Sequence, residues 1–187
     1  GVTETFDHVV FATHADVTLD ILGAEATDDE RRILSAFRYD RNEVVLHTDA
    51  SAMPKRRSVW SSWNAIERRD DDGSRPVSVS YWMNRLQGLT SRQPLLVSLN
   101  PIREPDDRTV LMETCYDHPV FERQTRLAQE NFDLVQGHQG LWFCGSYLGY
   151  GFHEDALRSS VQVARRLGVA PPWEATLAGD HDVPVPT

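Results

Sequence analysis

The sequence predicts an α/β fold with an inserted antiparallel sheet, and three observations carry that prediction. Apolar strand-like runs that pass directly into helix signals stand near both ends, at FDHVVFATHAD (6–16) and LWFCGSYLGYGFHEDALRSSVQVARRLG (141–168). Between them, from Arg38 to about Tyr116, the pattern changes to short alternating strands. The stretch RRDDDGSRP (68–76), with Asp72-Gly73 and Pro76 between two alternating runs, is a strong hairpin signal.

Each element follows in order. Phe6 to Ala12 is an apolar run broken only by Asp7 and His8, which predicts a strand buried on both faces, as in parallel sheets. Thr13 or Asp16 is suited to cap the next helix, whose apolar side carries Val17, Leu19 and Leu22 and which Gly23 stops. A second helix, TDDERRILSAFRY, begins at Thr27 and places Asp28, Asp29 and Glu30 at its positive end.

The middle section reads as the strands EVVLHTD, RSVWSSWNAIE, PVSVSYWMNRLQ, PLLVSLNP and TVLMETCYDH. Val77, Val79 and Tyr81 oppose Ser78, Ser80 and Trp82, so one face is expected on a core while the other carries serines, tryptophans and Asn84. Helix returns over His118–Gln136, and a strand follows from Leu141 to Cys144. A helix from Phe152 to Leu167 ends at Gly168 and turns Leu157, Val161, Ala164 and Leu167 toward the sheet. The proline- and aspartate-rich end beyond Trp173 reads as a loose terminus.

Composition narrows the function classes. Nineteen basic against 28 acidic residues give a net charge of −9, which opposes non-specific binding to nucleic acid. No run approaches the ~18–20 apolar residues of a membrane-spanning helix. The two cysteines, Cys115 and Cys144, sit in apolar runs and read as buried thiols of a cytoplasmic protein. The histidines are scattered, and His153-Glu154 has no second histidine at zinc spacing, so no metal site is expected. Cys144 precedes a glycine at a strand end, but the G-x-S-x-G context of a nucleophile elbow is absent. Lys55, Arg56 and Arg57 form the one dense basic run, which reads as a solvated loop more readily than as a dock for an acidic headgroup.

The chemistry concentrates at the turn marked by Gly145, Gly149 and Gly151. Glycines let backbone approach a ligand, and a helix start presents free amides to anionic or electron-rich groups. A tight turn with no ligand explains the local pattern equally well. The spacing misses the G-x-G-x-x-G fingerprint, since Glu154 stands where the third glycine belongs, and there is no Walker A loop.

The block WFCGSYLGYGFHEDALRSS resembles the C-terminal flavin-binding segment of the flavin-containing amine oxidase and phytoene desaturase superfamily, in particular its bacterial predicted NAD/FAD-binding proteins. FDHVVFATHAD, VLHTD, SSWN, VSVSYWMNRLQGL, LNP and YDHPVF resemble the same subgroup in the same order, from about Phe6 to Gly168. The resemblance implies the C-terminal portion of an amine-oxidase-like FAD/NAD(P)-binding fold, with the G-x-G-x-x-G unit in an N-terminal part that precedes Gly1. Residues 1–37 and 118–175 then belong to the FAD domain, 38–117 form the substrate-domain sheet, and 176–187 are a flexible tail. The chain's start without methionine, close to a central strand, agrees with a fragment or processed product.

The resemblance also implies FAD, held non-covalently with help from the N-terminal part. Gly145 matches the glycine after the last FAD-domain strand, and Ser146 stands where many relatives have an acid toward the ribityl chain. Gly151, Phe152, His153, Glu154 and Asp155 match the turn beside the isoalloxazine, and Ala12 and Thr13 a strand end near the nucleotide. Trp82 and Asn84 are the expected substrate contacts, set against their alternative as sheet packing. The implied activity is hydride transfer from an apolar or amphipathic small molecule, such as a lipid or isoprenoid, to the flavin. Amine oxidation is the weaker form, because Lys55 is the only lysine and NEVVLHTD has none where amine oxidases place one. No residue stands out as a catalytic acid or base.

Overall fold

The computed structural model describes residues 2–73 and 75–173, so the expected tail at 176–187 lies outside the described residues. The chain divides into two units, one of Gly1–Tyr39 with Pro119–Thr187 and the other of Asp40–His118.

The first unit is built on two parallel strands, β1 (Val9–Phe11) and β7 (Leu141–Phe143), paired in register from Val9↔Leu141 to Phe11↔Phe143. Helices α1 (Ala15–Leu22), α2 (Asp28–Leu34), α4 (Arg123–Glu130) and α5 (His153–Arg166) belong to this unit. Ile33, Leu34, Phe37, Ala128, Phe132, Val135, Phe143 and Tyr147 form its buried core. The aromatic rings interlock: Phe11 stacks on Phe143 with centroids 5.6 Å apart, and Phe37 meets Tyr147 edge-on at 4.9 Å. Each such buried ring contributes about 1.5–3 kcal/mol of transfer free energy.

Local chemistry explains the helix starts, with one correction. Thr27 caps α2 in a reciprocal box: its hydroxyl accepts from Glu30 N at 3.2 Å, and Thr27 N donates to Glu30 Oε2 at 2.7 Å. Neither Thr13 nor Asp16 caps α1. The Tyr39 hydroxyl does so from 24 residues away, accepting from Ala15 N at 3.0 Å while His14 stacks on its ring at 4.4 Å. Burial pushes the Tyr39 hydroxyl up to about 12. On α1 the stripe that meets the core is Ala15, Thr18, Leu19 and Leu22, and Val17 falls off it and is exposed.

Two further expectations change. The first strand is not buried on both faces: Val9 and Val10 are 37% and 46% exposed, because β7 is the only strand paired with β1 among the described residues. Residues 118–120 are not helical but end a strand, and α4 starts at Arg123, where Glu122 N donates to Thr125 Oγ1 at 3.3 Å.

The second unit is built on β2 (Arg38–His47), β3 (Trp63–Glu67), β4 (Val77–Trp82), β5 (Leu96–Leu99) and β6 (Val110–Val120), with a one-turn helix α3 (Met83–Leu86) after β4. The order of the strands in the sheet is β3-β4-β5-β2-β6. The hairpin joins β3 to β4 antiparallel, closed by Arg68 N to Pro76 O at 3.1 Å and Gly73 N to Asp70 O at 3.0 Å.

The burial of β4 is the reverse of the expected one. Ser78 and Ser80 face the interior and Val77 is half exposed. A hydrogen-bonded row makes this possible: Ser80 Oγ pairs with Ser98 Oγ at 2.7 Å, and Ser98 Oγ with His47 Nε2 at 2.8 Å. His47 Nδ1 accepts from Asp49 N at 3.2 Å, so Nε2 carries the proton and donates to Ser98. A polar face of this kind is stable inside because each of these groups has a partner. Cys144 is buried as expected, but Cys115 is exposed on β6, an edge strand, beside the guanidinium of Arg41.

Candidate functional site

In the first unit β1 and β7 run parallel and end side by side, Cys144 N donating to Phe11 O at 2.9 Å. The next residues, Ala12 and Thr13 on one strand and Gly145 and Ser146 on the other, therefore meet at the carboxyl edge of the sheet. Ligands of open α/β sheets bind in that position, outside the strand ends. Thr13 Oγ1 bonds to Thr18 Oγ1 at 2.8 Å, which fixes the first turn against α1.

The turn after β7 is held from several sides. Gln136 pairs with Phe143 like a strand partner, its Oε1 accepting from Phe143 N at 2.8 Å and its Nε2 donating to Phe143 O at 2.7 Å. Gln129 on α4 donates to Tyr147 O and to Gly149 O, both at 2.8 Å. Ser159 on α5 accepts from Gly145 N at 3.0 Å. These three clamps join residues 7 to 20 positions apart, and no local sequence pattern marks them.

Asp155 organises the start of α5. It is buried, its Oδ2 accepts from Tyr150 N at 2.9 Å and from Phe152 N at 3.1 Å, and Arg158 pairs with its other oxygen. The amide of Phe152 contributes most to holding its carboxyl below the usual carboxylate range, with Tyr150 N and Arg158 adding to it. Gly149 lies so close that a Cβ there would overlap this carboxylate, and Gly151 adopts φ +88°, where other residues are strained. Two of the amides expected to face a ligand are thus spent on the protein's own aspartate, and Asp155 belongs to the scaffold of the turn. The buried stripe of α5 is accordingly Asp155, Ser159 and Val163, and Leu157, expected on the sheet side, is 46% exposed.

Open to solvent at the turn are Gly151, Phe152, His153 and Glu154. Phe152 and Tyr150 expose 58% and 75% of their surface, unusual for rings and suited to cover by a flat partner. Tyr147 is the opposite: it is buried, burial raises its hydroxyl strongly, and that oxygen has no hydrogen-bond partner among the described residues. A cavity of about 650 Å³ opens beside the turn, lined by Phe121, Arg126, Leu148, Gly149, Tyr150 and Arg158.

The fold has a match among solved structures. A crystal structure of a CLA-producing fatty acid isomerase from P. acnes superposes with a TM-score of 0.52 at 14% sequence identity, over 87% of this chain. This chain spans 42% of the length of that one. No protein-family profile matches the chain, and no curated protein sequence matches it. At this identity the likeness is one of fold.

In the second unit Trp82 and Asn84 line one pocket of about 330 Å³, while Tyr81 pairs with Trp63, edge-on at 5.3 Å. Asn84 lies on α3, beyond the strand end, and its amide holds the loop that follows. Nδ2 donates to Ser91 O and Gln93 O at 3.1 and 3.0 Å, and Oδ1 accepts from Leu95 N at 2.7 Å. Trp82 meets Trp60 edge-on at 5.4 Å, and its indole Nε1 is buried without a hydrogen-bond partner among the described residues. No group of three or more metal-ligating side chains occurs among the described residues, and no helix there is long and apolar enough to cross a membrane.

Proposed function

We propose that this chain is the C-terminal portion of an FAD-dependent oxidoreductase acting on an apolar or amphipathic small molecule. The observation that carries the reading is the pair of parallel strands ending together at Ala12-Thr13 and Gly145-Ser146, each followed by a turn into a helix. That arrangement is half of a ligand crevice in an open α/β sheet. The sequence resemblance to flavin-containing amine oxidases and desaturases, and the fold shared with a fatty acid isomerase, support it.

The residues present fit the cofactor in part. Ala12, Thr13, Gly145 and Ser146 offer backbone and hydroxyl groups at the strand ends, and exposed Phe152 with the start of α5 offers a flat apolar surface and a positive dipole end. Bound FAD supplies the hydride acceptor. The chain's own residues orient it: the Asp155 carboxylate fixes the turn, Gln129 and Ser159 hold its backbone, and the helix dipole favours electron density placed at its start. In this reading residues 1–37 and 118–175 belong to the FAD domain and 38–117 to the substrate domain, with Trp82 a substrate contact.

The exposed Val9 and Val10 on β1 favour a second reading, in which this chain alone is a non-catalytic part that needs further sheet to hold FAD. The experiment is to purify the product of the complete gene and this chain separately, and to record visible spectra before and after adding FAD. The reading predicts flavin absorbance in the complete product, bleached anaerobically by a long-chain unsaturated substrate. A complete product that stays colourless with excess FAD overturns it. Flavin in the complete product but not in this chain supports the second reading for the chain alone.

A further inference from the structure

We infer that the second unit carries an anion-recognition site in the Trp82 pocket, built to take the single negatively charged head of an amphipathic molecule. Arg57, Arg85 and Arg92 come from three separate stretches and all line this one pocket, beside Trp82, Leu89 and Pro94. The dense basic run read at Lys55–Arg57 supplies only one of them. No acidic residue lines the pocket, and among the described residues none of the three arginines forms a salt bridge to a carboxylate. In a chain with net charge −9, three solvent-exposed guanidinium groups gathered without a counter-ion offer a local positive site to an anion from outside.

The geometry also selects the kind of anion. The Arg57 guanidinium lies over the ring of Trp60 at 5.3 Å and over that of Trp82 at 5.9 Å, which orients its donor fork. Arg85 is tethered by a hydrogen bond from Nη1 to Trp60 O at 3.1 Å. Asn84 pins the 91–95 loop that carries Arg92. Two guanidinium groups set by neighbours and a third on a pinned loop suit a carboxylate or phosphate monoester, whose oxygens accept such donors in pairs. Leu89, 38% exposed, and the Trp82 ring give an apolar chain somewhere to lie. The site goes beyond the flavin reading and involves no residue of the first unit. It rests on that reading only in identifying the ligand with the substrate.

The test uses the 187-residue chain and follows the Trp82 indole N–H resonance by NMR, assigned with Trp82→Phe. Octanoate is expected to shift it saturably, and inorganic phosphate to compete. Octanol is expected to leave it in place, and added salt to weaken the octanoate response. Arg57→Gln and Arg92→Gln each lower octanoate affinity about tenfold, the loss of one charge-assisted bond. Lys55→Gln, outside the pocket, changes it little, and unchanged melting curves show that the variants fold. Equal shifts with octanol and octanoate, or arginine variants that bind like the parent, overturn the proposal. So does a response that appears only with anionic lipid vesicles, which makes the patch a membrane dock. Flavin is absent throughout, so this outcome and that of the flavin test are read separately.

Discussion

Asp155 stands in the sequence at the start of the 152–167 helix, and in the structure it lies in the first turn of α5, where the dipole favours an acid. What the residue does there depends on how far the turn folds back, which no local pattern encodes. The carboxylate draws in the amides of Tyr150 and Phe152, and Gly149 leaves it room. Gly149→Ala should therefore expel it and cost about 1–3 kcal/mol in urea unfolding. The acid side of the stability profile carries the same signature. A carboxyl held low in the native state adds stability above its unfolded value, and that stability is lost as pH falls through the native one. Asp155→Asn should flatten the profile in and below the ordinary carboxylate range. His47 behaves in a related way from the base side. Burial lowers it from 6.5, opposed by the charge of Asp49, so the native state keeps it neutral and the unfolded chain takes the proton more readily. The second unit should hold full stability above about pH 6.5 and lose it below, and His47→Gln should remove that slope.

At the scale of the element, the sequence was most informative where an interaction is local. The start of α2 was read from Thr27 and the three acids after it, and the structure adds that Thr27 and Glu30 close a reciprocal capping box there. Thr27→Ala should cost about 1 kcal/mol, measured by thermal unfolding. The cap of α1 comes from Tyr39 and was invisible for the same reason reversed. The β4 alternation was legible but its sense was not, because hydropathy assigns valine inward and serine outward. The face is decided by cross-strand partners: Ser80, Ser98 and His47 satisfy one another, and that row lies inside. Ser98→Ala should leave the His47 N–H and Ser80 hydroxyl short of a partner and cost about 1–3 kcal/mol, more than Val77→Ala at the exposed position. The periodicity of α5 was equally clear. Its rotation was not, since Asp155 and Ser159 tie the helix to the turn through polar bonds that a hydrophobic stripe does not reveal.

Across the whole molecule, the chain divides at Asp40 and His118 into a helical unit on two parallel strands and a unit of antiparallel strands. Strand type and the order of motifs follow the chain locally. They were silent on the gathering of Arg57, Arg85 and Arg92, which depends on loops returning to one pocket. The central claim is that the two strand ends at Ala12-Thr13 and Gly145-Ser146 hold part of FAD. It is tested most directly by the FAD released on denaturing the product of the complete gene. Parent protein and Cys115→Ser should release stoichiometric FAD, and Ser146→Trp, which fills the strand end, should release almost none while keeping the parent's circular-dichroism spectrum and a cooperative melt, lowered only by the loss of the bound cofactor. Parent protein that releases no FAD, or Ser146→Trp that releases as much as the parent, would contradict the account.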